Sequence, residues 1–113
     1  MHDSAQLPAW LSLDEDAAVV TLSRPTPCNG VNVDALTLRA PTVRDIRLAS
    51  KVASDDEERE LQLFASLAQV SRQDLEGLKL SDYQRLQQAY FRLVREDGPE
   101  LLADAPAGAA SGG

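Results

Sequence analysis

Apolar positions change period twice along this chain. From Ala18 to Ser23 the order Ala-Val-Val-Thr-Leu-Ser is short and β-branched, and from Val31 to Arg39 it alternates as Val-Asn-Val-Asp-Ala-Leu-Thr-Leu-Arg. Asn29-Gly30 lies between the two runs. Asn-Gly supplies the two positive-φ residues of a type I′ turn, so residues 18–28 and 31–39 are predicted to pair as an antiparallel hairpin. Pro25 and Pro27 lack ladder donors, which makes the first strand an edge strand or bends it near the tip. Val31 and Val33 occupy odd positions while Leu36 and Leu38 occupy even ones, and a β-bulge at Asp34-Ala35 would reconcile the two halves. An isolated hairpin is marginal in water, so its apolar face has to rest on helices or on another subunit.

Beyond Pro41 the spacing becomes helical. Thr42 with Asp45 reads as a capping box opening a helix over 43–53, with Val43, Ile46, Ala49 and Val52 or Ala53 facing the core and Arg44, Arg47 and Lys51 on a different face. Ser54 with Glu57 reads as a second box, followed by the stripe Leu61, Phe64, Ala65 and Ala68, widened by Leu63 and Leu67. Ser71 and Asp74 cap a short helix that should stop at Gly77, a residue tolerant of positive φ, with Leu75 and Leu78 anchoring it. Ser81 with Gln84 opens the last helix, with Tyr83, Leu86, Tyr90, Leu93 and Val94 on its core stripe, ending near Asp97 before Gly98-Pro99. The predicted fold class is α+β: an N-terminal antiparallel β-hairpin, a small bundle of about four helices, and a flexible C-terminal tail.

The domain division follows from composition. Residues 1–17 lack strong periodicity and form a loosely ordered leader with Trp10 tucked against the fold. Residues 18–98 form the single domain that 113 residues can support. Residues 99–113 are Ala, Gly, Pro, Ser, two acids and two leucines, too poor in apolar surface to offset ordering entropy, and are predicted to be disordered.

The net charge of −7 sits mainly in the helical half: residues 54–98 carry 10 acids against 6 bases, and residues 1–53 carry 6 against 5. Such a surface repels phosphate backbones and anionic lipid, which argues against nucleic acid and membrane as partners. No apolar run approaches the roughly 20 residues that span a bilayer. Chemistry is equally sparse. One histidine, His2, and one cysteine, Cys28, make neither a metal cluster nor a supported nucleophile-base pair. The acids from Asp55 to Glu60 lack EF-hand spacing and match a helix N-terminus instead. No glycine pattern cradles phosphate. The chain is therefore read as a non-enzymatic protein with no cofactor.

Two groups of residues are left for partner contact. Arg44, Arg47 and Lys51 form the only local excess of positive charge, and Arg39 before them is also free for binding. Tyr90 and Phe91 are adjacent on a helix, about 100° apart, so they cannot both lie deep on one stripe. The edge of the hairpin is a further route to self-association by strand pairing.

The order Val-Thr-Leu-Ser-Arg-Pro, Asn-Gly, Leu-Thr-Leu-Arg-Ala-Pro-Thr-Val-Arg-Asp, and then Asp74-Leu75-Glu76, Leu80-Ser81-Asp82-Tyr83 and a terminal amphipathic helix, resembles the tail assembly chaperones of Mu-like and related tailed phages over about Val19 to Val94. The longer leader, the Ala/Gly tail and the Pro-Thr-Pro-Cys approach to the turn depart from it. The resemblance implies a late protein of the host bacterial cytoplasm, not expected in the mature virion, that binds the long, apolar, helical tape measure protein and keeps it soluble. It also implies recruitment of tail tube protein, in many phages through a frameshifted longer form. The competing expectations are a structural adaptor of the head-tail connection or baseplate and a small host-directed regulatory binding protein.

Overall fold

The computed structural model describes residues 7–95. Strand β2 (Ala17–Cys28) and strand β3 (Val31–Arg39) form the predicted hairpin, with Asn29 and Gly30 at φ values of 55° and 80° as a type I′ turn requires. Ala18, Val20, Leu22, Thr26 and Cys28 of β2 point inward, joined by Leu36 and Leu38 of β3. The register is regular from Ala17↔Arg39 to Thr21↔Ala35 and resumes at Thr26↔Val33, so Leu22 to Pro25 face Asp34 alone. The irregularity thus lies where the change of parity in β3 predicted it, but the surplus residues belong to β2. An odd slip keeps the even positions of β2 inward on both sides of the irregular stretch, Arg24 within it excepted, while β3 changes face, and Pro25 sits where no ladder donor is needed.

A third strand, β1 (Leu11–Leu13), lies within the stretch read as a loose leader and pairs with Val20, Val19 and Ala18 of β2. The order β1-β2-β3 makes the first half of β2 central, not an edge, and its prolines fall beyond the part that β1 covers. The acids Asp14 to Asp16 form the connecting turn: the Asp14 carboxylate accepts from the N–H of Asp16 and of Ala17, both at 2.9 Å.

Four helices follow: α1 (Val43–Val52), α2 (Asp56–Ala68), α3 (Arg72–Glu76) and α4 (Leu80–Val94). The Thr42/Asp45 and Ser71/Asp74 capping boxes form as predicted. The start of α2 shifts by one residue, because the Asp55 carboxylate accepts from the Glu58 N–H at 2.8 Å in place of a Ser54 hydroxyl. Helix α4 starts earlier than the Ser81/Gln84 box proposed, behind Lys79, which makes no side-chain cap. Helix α3 ends at Gly77 as expected, but without using a positive φ. Gly77 lies at an ordinary φ of −85°, and the left-handed residue is Gln69, at φ 59°, closing α2. Asp97, Gly98-Pro99 and the tail fall outside the described residues.

Leu63, Phe64, Ala65 and Leu67 of α2 and Leu86, Ala89 and Leu93 of α4 bury themselves against the sheet, with Leu75 and Leu78 closing the end. Phe64 joins the two long helices, its ring 5.7 Å from that of Tyr83 and 5.2 Å from that of Tyr90, in tilted geometry. The largest departure from expectation is α1. Only Ala49 is buried, while Val43, Ile46, Leu48 and Val52 are 77%, 39%, 53% and 63% exposed. Of the predicted stripe only Ala49 reaches the core where α1 packs on α2, and the larger apolar side chains around it stay exposed.

Candidate functional site

Polar groups with the most buried surroundings in this fold hold it together. Asp82, fully buried in the first turn of α4, accepts from the Ser23 N–H at 2.8 Å and from the Ser23 hydroxyl at 3.0 Å. Its neighbour one turn on, Arg85, donates to the Thr21 carbonyl at 2.7 Å and lies 5.3 Å from the centre of the Trp10 ring. The Ser23 N–H, in the irregular stretch of β2, therefore finds its acceptor on α4, and Trp10 lies against Arg85 beside it. At the other end of the hairpin, the Asp74 carboxylate accepts from the N–H of Asn29 and of Ser71, and the Asn29 side chain donates to the Gln69 carbonyl. Those bonds hold Asp74 below the usual carboxylate range. Burial, and then the charge of Asp74, push the Cys28 thiol up, so it stays protonated as a core residue.

Arg39, one of the candidate contact residues, is engaged within the fold. Its guanidinium donates to both carboxylate oxygens of Asp45, at 2.7 and 2.8 Å, and so ties the end of β3 to the start of α1. The paired guanidinium, helped by the N–H and hydroxyl of Thr42, holds Asp45 far below its ordinary value. Asp45 and Asp74 thus share one sign of linkage: a depressed folded-state carboxylate contributes stability that is fully present above the unfolded value near about 4 and is lost as pH falls through the folded value. The expected result is a thermal midpoint that is flat from neutrality to about pH 5 and falls steadily below about pH 4, with a shallower acid limb in Asp45→Asn, read by circular dichroism.

Arg44, Arg47 and Lys51 are exposed on α1. At 100° per residue, Arg47 and Lys51 point about 160° away from Ala49, so they occupy the outward pole of a helix whose buried side rests on α2. Val43 and Ile46 flank that pole on one side and Leu48 and Val52 on the other. The result is a basic ridge with uncovered apolar shoulders.

Tyr90 and Phe91 separate as their 100° offset requires. Tyr90 is half-buried against Phe64, whereas Phe91 is 55% exposed with the Arg95 guanidinium 4.4 Å from its ring centre. Phe91 belongs to a second stripe of α4 that the apolar periodicity alone does not isolate: Leu80, Gln84, Gln87, Phe91 and Val94, at spacings of four, three, four and three. Leu80, Phe91 and Val94 are 70%, 55% and 49% exposed, which moves Val94 off the predicted core stripe. This 4-3-4-3 order is the seam spacing by which one helix packs along another. Beside it runs an open groove of about 550 Å³ between α2, α3 and α4, floored by Leu61, Leu75, Leu78 and Tyr83 and rimmed by Glu57, Glu60 and Glu76. Glu60 is fixed there, accepting from the Tyr83 hydroxyl at 2.7 Å and from Gln87 at 2.9 Å, and burial followed by this bond drives the Tyr83 hydroxyl well above its ordinary pKa.

Among the described residues, no group of three or more His, Cys, Asp or Glu side chains could hold a metal ion, and no helix is long and apolar enough to cross a membrane. The surfaces that stand out instead are an uncovered helix seam with an acidic groove and a basic helix with apolar shoulders. Fold and surfaces together define a small α+β protein that presents helices to solvent. The sequence profile of the phage tail assembly chaperone proteins, a family described as "E, or 41 or 14", matches residues 19–95, and the chain belongs to that family. Neither the curated proteins nor the solved structures contain a match.

Proposed function

We propose that the chain is a non-enzymatic tail assembly chaperone that holds the tape measure protein, and that the α4 seam with its groove is where a helical segment of that client docks. One observation carries this reading: Leu80, Phe91 and Val94 remain about half or more exposed at seam spacing on a helix whose opposite side already fills the core. A helix laid along them would cover all three. Family membership supports a role in tail assembly, and the long, apolar, helical character that the sequence resemblance assigns to the tape measure protein fits such a seam. Acidic charge keeps the loaded complex dispersed.

Arg44, Arg47 and Lys51 on α1 and Phe91 on α4 are the proposed contact residues, with Tyr90 as the packed support beneath Phe91 and Arg39 as the clamp that sets α1. Recruitment of tube subunits, action in the host cytoplasm and release before the virion matures belong to the same proposal. Co-expression tests it. Tape measure protein should partition to the soluble fraction with the wild-type chain and to the pellet with Phe91→Asp/Val94→Asp, whose exposed positions leave the thermal midpoint nearly unchanged. Equal solubility with the variant, or with no chain at all, contradicts the proposal. Abundance of the chain in purified virions would favour a structural adaptor instead.

A further inference from the structure

The groove beside α4 and the ridge on α1 are complementary to each other. One offers an apolar floor, Leu61, Leu75 and Leu78, beneath the acidic rim Glu57 and Glu76. The other offers, within one arc of about 100° on α1, Lys51, Arg44, Leu48 and Val52 in angular order. All four are exposed. No residue of α1 lines the groove of its own chain. Helix α1 is held instead by Ala49 against α2 and by the Arg39–Asp45 pair, so its outer arc faces away from its own fold.

We propose that α1 of a second copy of this chain occupies the α4 groove while no client is bound, with Leu48 and Val52 on the floor and Arg44 and Lys51 against Glu57 and Glu76. The inference rests on the groove being a helix site, as in the function proposed above, and adds what fills it in the waiting state. Charge complementarity selects this occupant over the chain's own C-terminal segment, which is acidic at Glu96, Asp97, Glu100 and Asp104 and would be repelled by the rim. The contact joins two different surfaces, so it closes as a reciprocal dimer or propagates into a ring or an open chain of copies. A client helix and α1 compete for one groove, and client binding takes the assembly apart.

Sedimentation of the full chain without tape measure protein tests this, using two charge reversals at exposed positions. Wild type should form concentration-dependent species heavier than 12.2 kDa. Arg44→Glu/Lys51→Glu and Glu57→Lys/Glu76→Lys should each associate at least about tenfold more weakly when alone, since each then faces like charge. An equimolar mixture of the two should regain association well above that of either variant alone, because a reversed α1 arc meets a reversed rim as a complementary pair. Circular dichroism melts confirm that both variants fold, and Leu48→Asp, which touches no charge pair, should weaken association as well. A wild type that stays monomeric into the millimolar range, variants that associate as wild type does, or a mixture that stays dissociated would each overturn the proposal. None of these results bears on whether the chain keeps tape measure protein soluble, so the two readings fail separately.

Discussion

Replacing Asp82 with Ala should cost about 3 kcal/mol of stability, the largest effect expected from any polar position in this protein. The carboxylate is fully buried and accepts both polar hydrogens of Ser23, so its removal strands a backbone N–H and a hydroxyl at the irregular stretch of β2 and leaves Arg85 without its nearest acid. Asp82→Asn keeps one carbonyl acceptor at nearly the same volume and should cost about half as much. Ser23→Ala removes only the hydroxyl bond and should cost about 1 kcal/mol. In thermal unfolding, Asp82→Ala should lower the midpoint by more than about 10 °C. A shift of only a few degrees would mean that α4 and β2 are joined by apolar packing alone.

Phe64→Ala should cost about 3–5 kcal/mol, the range for a deleted core aromatic. Phe64 is 1% exposed and touches both half-buried tyrosines of α4, so its loss opens a cavity between the two long helices and unseats Tyr83 and Tyr90 together. Phe64→Leu retains much of the volume and should recover more than half of the loss. Denaturant titration distinguishes the outcomes: the midpoint should fall with an unchanged slope, whereas a reduced slope would mean that the sheet and helices no longer unfold as one unit.

Local chemistry made much of this fold readable. Asn29-Gly30 dictates the turn, Thr42/Asp45 and Ser71/Asp74 dictate two helix starts, and the stripes of α2 place Phe64 and Leu67 in the core without reference to the rest of the chain. What could not be read depends on tertiary partners. A three-residue strand such as Leu11–Leu13 has no period of its own and exists through pairing with β2. Asp82 looks like any acid in the first turn of a helix, and only the approach of Ser23 across 59 residues gives it a buried role. Helix α1 misleads in the opposite sense, because amphipathicity says that a helix has an apolar side and not that its own domain covers that side. Of the candidate contact residues, Arg39 could have been paired with Asp45 from spacing, since the capping acid lies six residues on, just past the proline stop. The α4 seam was present in the sequence as Leu80, Gln84, Gln87, Phe91 and Val94, hidden because the core stripe shares the same helix and the two glutamines interrupt its apolar character.

If a helix of the tape measure protein lies along the outer stripe of α4, a photo-reactive phenylalanine analogue at position 91 will capture it. The cross-linking is done in cells that also express tape measure protein, with the same analogue placed separately at Ser12, on the exposed side of β1, as the control. The expected outcome is an adduct from position 91 and none from position 12, with the adduct mapping to one or a few helical segments of the client. Adducts of equal yield from both positions, or none from position 91 while tape measure protein stays soluble, would show that the client is held elsewhere on the chain or not at all.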